Sequence, residues 1–229
     1  MQMTYEQLLE ELKNLSEEDF AKFQERLIFT KAKILGVRTP TLRKLAKKYV
    51  NSVDELMAFP DDYYEVVFIK LCAVSLLPYD VFLKYIDECA GVIDNWATCD
   101  SFKPICLKQS RRNRTEFLPK LEELFNHGGE FYERLALVLL LGYYLEEEYS
   151  PIIKRCIEKA NLESYYVHMA VAWLTAELLV KLPKLGNEII NSGYLPPKTH
   201  NKAIQKAIES FRITKQEKQR LLSLKQKIK

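Results

Sequence analysis

Residues 165–183 read YYVHMAVAWLTAELLVKLP. From 167 to 182 this stretch is strongly apolar, follows helical rather than strand spacing, and stops at Pro183. No apolar run in the chain reaches the ~18–20 residues that a membrane span needs. The stretch therefore reads as a buried helix. Two more segments have the same character, residues 66–77 and 134–145, and residues 95–107 form a more polar relative of them. The centres of the four lie near residues 71, 101, 139 and 174, so neighbours are 30, 38 and 35 residues apart. That spacing is close to the period of two-helix solenoid repeats. A more amphipathic segment precedes each of the last three, at 79–90, 114–126 and 150–159. The expectation is an all-α stack of helix pairs that presents a concave face to a large partner.

Breakers fall between these segments: Pro40, Pro60, Pro78, Gly91, the pair Gly128-Gly129, Pro151, Pro183 and the pair Pro196-Pro197. Thr39 is expected to cap a helix over residues 40–50, with Pro40 in its first turn. A short basic helix is expected over 199–210, and a last one capped by Thr214. No linker is long or simple enough to divide the chain. One domain over 1–229 is expected, with residues 1–33 as N-terminal capping helices and 34–229 as repeats.

Only seven Gly in 229 residues argues against a turn-rich β architecture and against glycine-based phosphate loops. The five cysteines are scattered and form no CxxC, so buried reduced thiols are expected. The three histidines lie too far apart for zinc-ligand spacing. Residues 1–20 are acidic and amphipathic and lack the basic start and apolar core of a signal peptide, which predicts a cytoplasmic protein.

The net charge of +3 says little, but its distribution says more. From Lys198 to Lys229 there are ten Lys/Arg against two Glu, a local net of +8. Further basic clusters are Arg43, Lys44, Lys47, Lys48 and Lys108, Arg111, Arg112, Arg114. Such asymmetry is the footprint of a polyanion partner. Charge alone favours nucleic acid only slightly over an ordinary solvated Lys-rich surface.

Four residues on the apolar helices look out of place. Trp96 and Asp100 are four apart and share a helix face. Asp inside an apolar helix is unusual unless it is paired or used. Its ordinary readings are a helix cap or an ion pair, with Trp96 in the core. Arg134 opens the segment RLALV and has an interhelix salt bridge as its ordinary reading. Trp173 stands among alanines and on its own reads as a core aromatic. Together they place a carboxylate, a guanidinium and two indoles on consecutive inner helices. That set suits a cationic or charge-developing substrate, held by indole faces and a carboxylate.

The blocks ILGVRTPTLRKLAKKY (34–49), IDNWATCDSF (93–102), RLALVLLLGYY (134–144), YYVHMAVAWLTAELLVKLP (165–183) and THNKAIQKAIES (199–210) carry a resemblance. In content, order and spacing the chain resembles the AlkD-like DNA alkylation repair family of HEAT-like-repeat DNA glycosylases. The similarity runs from about residue 34 onward and leaves out the acidic start. It implies a right-handed solenoid of HEAT-like repeats with a concave basic groove. By position it implies Asp100 as the catalytic carboxylate and Trp96, Arg134 and Trp173 as cleft residues. Arg38, Arg43, Lys44, Lys47, Arg111, Arg112, Lys202 and Lys206 would then hold the DNA backbone. The implied reaction is release of cationic N3- or N7-alkylated purines from double-stranded DNA by a monomer, with no metal, no cofactor and no base flipping. A DNA-binding module that recognises altered shape without excision is the first alternative. A protein-interaction scaffold is the second.

Overall fold

The computed structural model describes residues 4–227. The expectations that include residues 1–3, or Lys229 of the basic tail, lie outside them. Regular structure among the described residues is helical, apart from one isolated bridge between Lys33 and Tyr63. None of these helices is long and apolar enough to cross a membrane. The chain forms two compact units, residues 1–117 and 118–229.

The first unit contains α1 (Tyr5–Asn14), α2 (Glu18–Glu25), α3 (Thr39–Tyr49), α4 (Val53–Met57), α5 (Tyr64–Val74), α6 (Tyr79–Val92), α7 (Trp96–Ser101) and α8 (Ile105–Gln109). It ends within α9 (Arg111–Asn126). Every residue of α5 is buried. A helix buried on every side belongs in the middle of its unit, and α5 accordingly packs on α3, α4, α6 and α7. Leu8 and Leu12 of α1, Leu42 and Leu45 of α3, and Phe68 and Ile69 of α5 share one core.

Two charges enter that core. Lys70, 1% exposed, donates to the carbonyl oxygens of Met57 and Phe59 and to Asp61. Three acceptors match the three hydrogens of its ammonium. Glu65, 0% exposed, accepts from the backbone N–H groups of Leu35, Gly36 and Val37. This turn needs glycine at position 36. Its φ is +87°, and a Cβ there would lie 2.4 Å from the Glu17 carbonyl oxygen.

Three local expectations change. Residues 95–107 form two short helices rather than one, because Pro104 removes an N–H and disfavours helical backbone before it. Arg38, not Thr39, occupies the cap position of α3, without a side-chain bond, and Thr39 is already helical. Helix α6 runs through Gly91 to Val92. A lone glycine near a helix end costs only about 1 kcal/mol and need not break it.

The second unit contains α10 (Glu130–Tyr143), α11 (Ser150–Lys159), α12 (Tyr165–Lys181), α13 (Pro183–Asn191), α14 (Pro197–Glu209) and α15 (Lys215–Ser223). Helix α12 packs on α10, α13 and α14, while α11 packs on α13. Helices α10, α12 and α14 thus form one row, with α11 and α13 paired beside it and α15 packed on α14. In the first unit α3, α5 and α7 form a similar row. Gly186 lets α13 close onto α12: a Cβ there would sit 2.6 Å from the Leu179 nitrogen. Thr214 caps α15 by accepting from the Glu217 N–H at 3.2 Å, as its sequence position suggests. All five cysteines are buried and outside disulfides.

Candidate functional site

Helix α7 is short but firmly started. Asn95, 1% exposed, accepts from the Thr98 N–H at 3.0 Å. Neutralising a free N–H of the first turn is what fixes so short a helix. Trp96 and Asp100 follow on it, one turn apart. Trp96 is 37% exposed, and Asp100 is half-buried. Both line a cavity of about 240 Å³, together with Phe20, Phe23, Gln24, Leu27, Tyr64 and Phe68. The hydroxyl-bearing residues Thr39 and Ser101 also reach its wall. A carboxylate among aromatic faces is a setting for positive charge.

The residues before 34, expected as capping helices, build one wall of this cavity. The Trp96 indole N–H donates to the Leu27 carbonyl at 2.9 Å. The Asp94 carboxylate accepts from the Thr30 hydroxyl at 2.9 and 3.0 Å and from the Lys31 N–H at 2.8 Å. Residues 27–31 are thereby fastened to the start of α7. Helix α2 is held from its other side. Arg38 donates to both carboxylate oxygens of Glu17, at 2.9 and 2.8 Å, and its guanidinium lies 4.1 Å from the Phe20 ring centre. The hydrogen bonds from Arg38 hold the Glu17 carboxyl below its usual pKa. Sequence reasoning expected capping helices over 1–33 but not that α2 walls the site. The available signal was the set Phe23, Leu27 and Phe29, apolar residues in an acidic segment that remain 54, 48 and 72% exposed.

Arg134 and Trp173 lie in the second unit. Arg134 sits one turn inside α10 rather than at its head. It is 5% exposed, donates to the Tyr166 carbonyl at 2.8 Å and lies 5.8 Å from the Tyr166 ring centre. Tyr166 is held in turn by Glu130, which accepts its N–H at 2.9 Å. Trp173 is half-buried on α12. His168, on the same helix, is 2% exposed and meets the Thr199 hydroxyl at 2.8 Å. Burial, and then Lys198 and Lys202, push its pKa down.

The candidate backbone cations differ in their surroundings. Arg43, Lys44 and Lys47 are exposed on α3. The Arg43 guanidinium lies 5.9 Å from the ring of Phe68, a cavity residue. Arg38 is engaged by Glu17 and Phe20 as described. Arg111 and Arg112 are exposed at the start of α9, with Arg112 paired to Glu116 at 2.7 Å. In the second unit Lys202 is exposed and Lys206 half-buried on α14.

The model of a family described as DNA alkylation repair enzyme matches residues 8–206. The match begins well before residue 34, so the N-terminal segment shares in the likeness. No curated protein matches the chain.

Proposed function

The chain belongs to the family of DNA alkylation repair enzymes, and from that premise we propose that it is a DNA glycosylase for cationic N3- and N7-alkylated purines in duplex DNA. One observation carries the reading. Trp96 and Asp100 line a single cavity whose wall carries four more aromatic rings, Phe20, Phe23, Tyr64 and Phe68. Alkylation makes the purine a good leaving group. As its N-glycosidic bond breaks, the deoxyribose gains oxocarbenium character. The Asp100 carboxylate stabilises that charge, and the Trp96 face supports it through its quadrupole. The base need not leave the stack for a carboxylate to reach the sugar.

Rows of alternate helices within each unit support HEAT-like repeats as the scaffold. Arg43, Lys44 and Lys47, with Arg111 and Arg112, are assigned to phosphates near the first unit's cavity. Lys202 and Lys206 are assigned to phosphates from the second unit, and Trp173 to the sugar–phosphate chain. Arg134 is assigned mainly to holding Tyr166, because its guanidinium is already engaged there.

The test is release of 7-methylguanine from methylated duplex DNA under single-turnover conditions. Asp100→Asn should lower the rate constant by about 10²–10³-fold, the cost of losing one pre-placed electrostatic group. Equal release by wild type and Asp100→Asn refutes the assignment. Salt-sensitive binding of duplex DNA without any release would instead support the binding-module reading.

A further inference from the structure

Helix α12 is open along one stripe. Between residues 166 and 180, those that are not buried are Tyr166, Met169, Trp173, Glu177 and Val180. They are spaced three and four apart, as a single helix face requires. Trp173, assigned above to the sugar–phosphate chain, thus has Glu177 as its neighbour one turn on. Arg212, from the turn between α14 and α15, donates to both carboxylate oxygens of Glu177, one of them at 3.0 Å. That turn is thereby docked on the same stripe as Trp173.

The turn is fixed at three points. The Ser210 hydroxyl accepts from the Arg212 N–H at 3.2 Å and from its guanidinium at 3.3 Å. Arg212 holds Glu177, and Ile213 is buried in the core that α12 and α14 share. Between these anchors Phe211 is 93% exposed, the most exposed large apolar side chain among the described residues. A loose loop can lay such a ring back on the surface, whereas a turn pinned on both sides holds it out. The turn and α15 lie beyond residue 206, where the family match ends.

Charge indicates what the ring meets. Lys202 and Lys206 lie on the helix before it, and Lys215 and Lys218 on the helix after it. A phenyl ring among cations, docked beside an indole, matches a partner that is anionic outside and offers flat apolar surfaces within. Duplex DNA offers phosphates and, once a step is opened, base faces. We propose that Phe211 is a wedge that enters the minor groove and opens a base step while these lysines hold adjoining phosphates. This rests on DNA as the partner, which the glycosylase and the binding-module readings share, and not on base release. A ring already held out costs little ordering on binding. Pyrimidine–purine steps open most easily, so the wedge selects them without reading a base edge.

The test uses a lesion-free duplex with one T–A step, its adenine replaced by 2-aminopurine, which brightens when unstacked. Wild type should bind and raise the fluorescence. Phe211→Ala should bind roughly 10-fold more weakly, as expected for a lost aromatic–base stack, and leave the fluorescence at the level of free duplex. Its salt slope should match wild type, because no charge is lost. Its melting temperature should also match, because so exposed a ring adds little to the fold. Phe211→Trp should keep both the affinity and the brightening. Brightening by Phe211→Ala equal to wild type overturns the wedge, as does wild-type binding with no brightening. Wild-type dimers without DNA that Phe211→Ala abolishes would assign the ring to a second copy instead and overturn it too. If wild type does not bind duplex DNA at all, the DNA reading itself is refuted and the wedge falls with it.

Discussion

Glu65 accepts three backbone N–H groups from the turn at 35–37 while lying wholly inside the first unit. Burial raises its pKa despite those donors. The residue persists there because the turn's N–H groups have nowhere else to go. Glu65→Leu should therefore destabilise the protein by about 1–3 kcal/mol or more, although leucine is the more hydrophobic residue. Glu65→Gln should cost less, because Oε1, which meets all three N–H groups, has a counterpart in the carboxamide. Urea denaturation measures both, and a Leu variant as stable as wild type would show that the turn does not depend on Glu65. None of this was legible in the sequence. The partners are main-chain groups, which every residue type carries, so no pattern of side chains announces them. Arg134 shows the converse. Its type and place suggested a cleft residue, but its guanidinium meets the Tyr166 carbonyl and ring. Arg134→Ala should cost about 1.5–3 kcal/mol of stability for the lost charged hydrogen bond. A variant that melts like wild type would return Arg134 to a purely DNA-facing role.

Helices were the legible part of the fold. The apolar runs at 66–77, 134–145 and 167–182 lie within two to four residues of α5, α10 and α12 at their starts. Their dominantly apolar composition follows from central positions, which a long apolar run reports directly. The docking of α2 was not legible, because it depends on Trp96 reaching a carbonyl and Arg38 reaching Glu17 across 69 and 21 residues. Two pH responses follow from such long-range contacts. The Glu17 carboxyl has a lowered pKa, so its pairing with Arg38 adds stability above the ordinary carboxylate range. That stability is lost as pH falls through the lowered value. The melting-temperature difference between wild type and Glu17→Gln should accordingly shrink in acid. A difference that stays constant would mean the pair does not hold α2. His168 works between α12 and α14, and its pKa is lowered from 6.5 by burial first and by Lys198 and Lys202 next. The unfolded chain then takes up the proton before the folded one. Stability should fall as pH drops below 6.5, and level off below the folded pKa. His168→Gln should lack this decline, and a wild-type curve that is flat over the same range would contradict the assignment.

Charge at the scale of the whole molecule is where sequence and structure differ most usefully. By residue type alone, Arg38, Arg43, Lys44 and Lys47 have equal standing as phosphate contacts. Side-chain geometry separates them, because Arg38 already gives two hydrogen bonds to Glu17 and covers the Phe20 ring, whereas Lys44 and Lys47 are exposed. A side-chain cation that meets a phosphate releases a counterion from the DNA and so contributes to the salt dependence of binding; one whose partner is a protein carboxylate contributes much less. Each phosphate contact adds about 0.9 to the slope of log affinity against log salt on duplex DNA. Lys44→Gln and Lys47→Gln should therefore each flatten the slope by close to that amount, with a similar loss on every DNA sequence. Arg38→Gln should leave the slope nearly unchanged and lower the melting temperature instead, because it loosens α2. Binding titrations over a range of salt concentrations decide the matter. If Arg38→Gln flattens the slope as much as Lys44→Gln, then Arg38 leaves Glu17 for a phosphate when DNA arrives, and the α2 segment stays in place through the Glu17 N–H to Gly36 carbonyl bond and the bonds of Trp96 and Asp94 to residues 27–31.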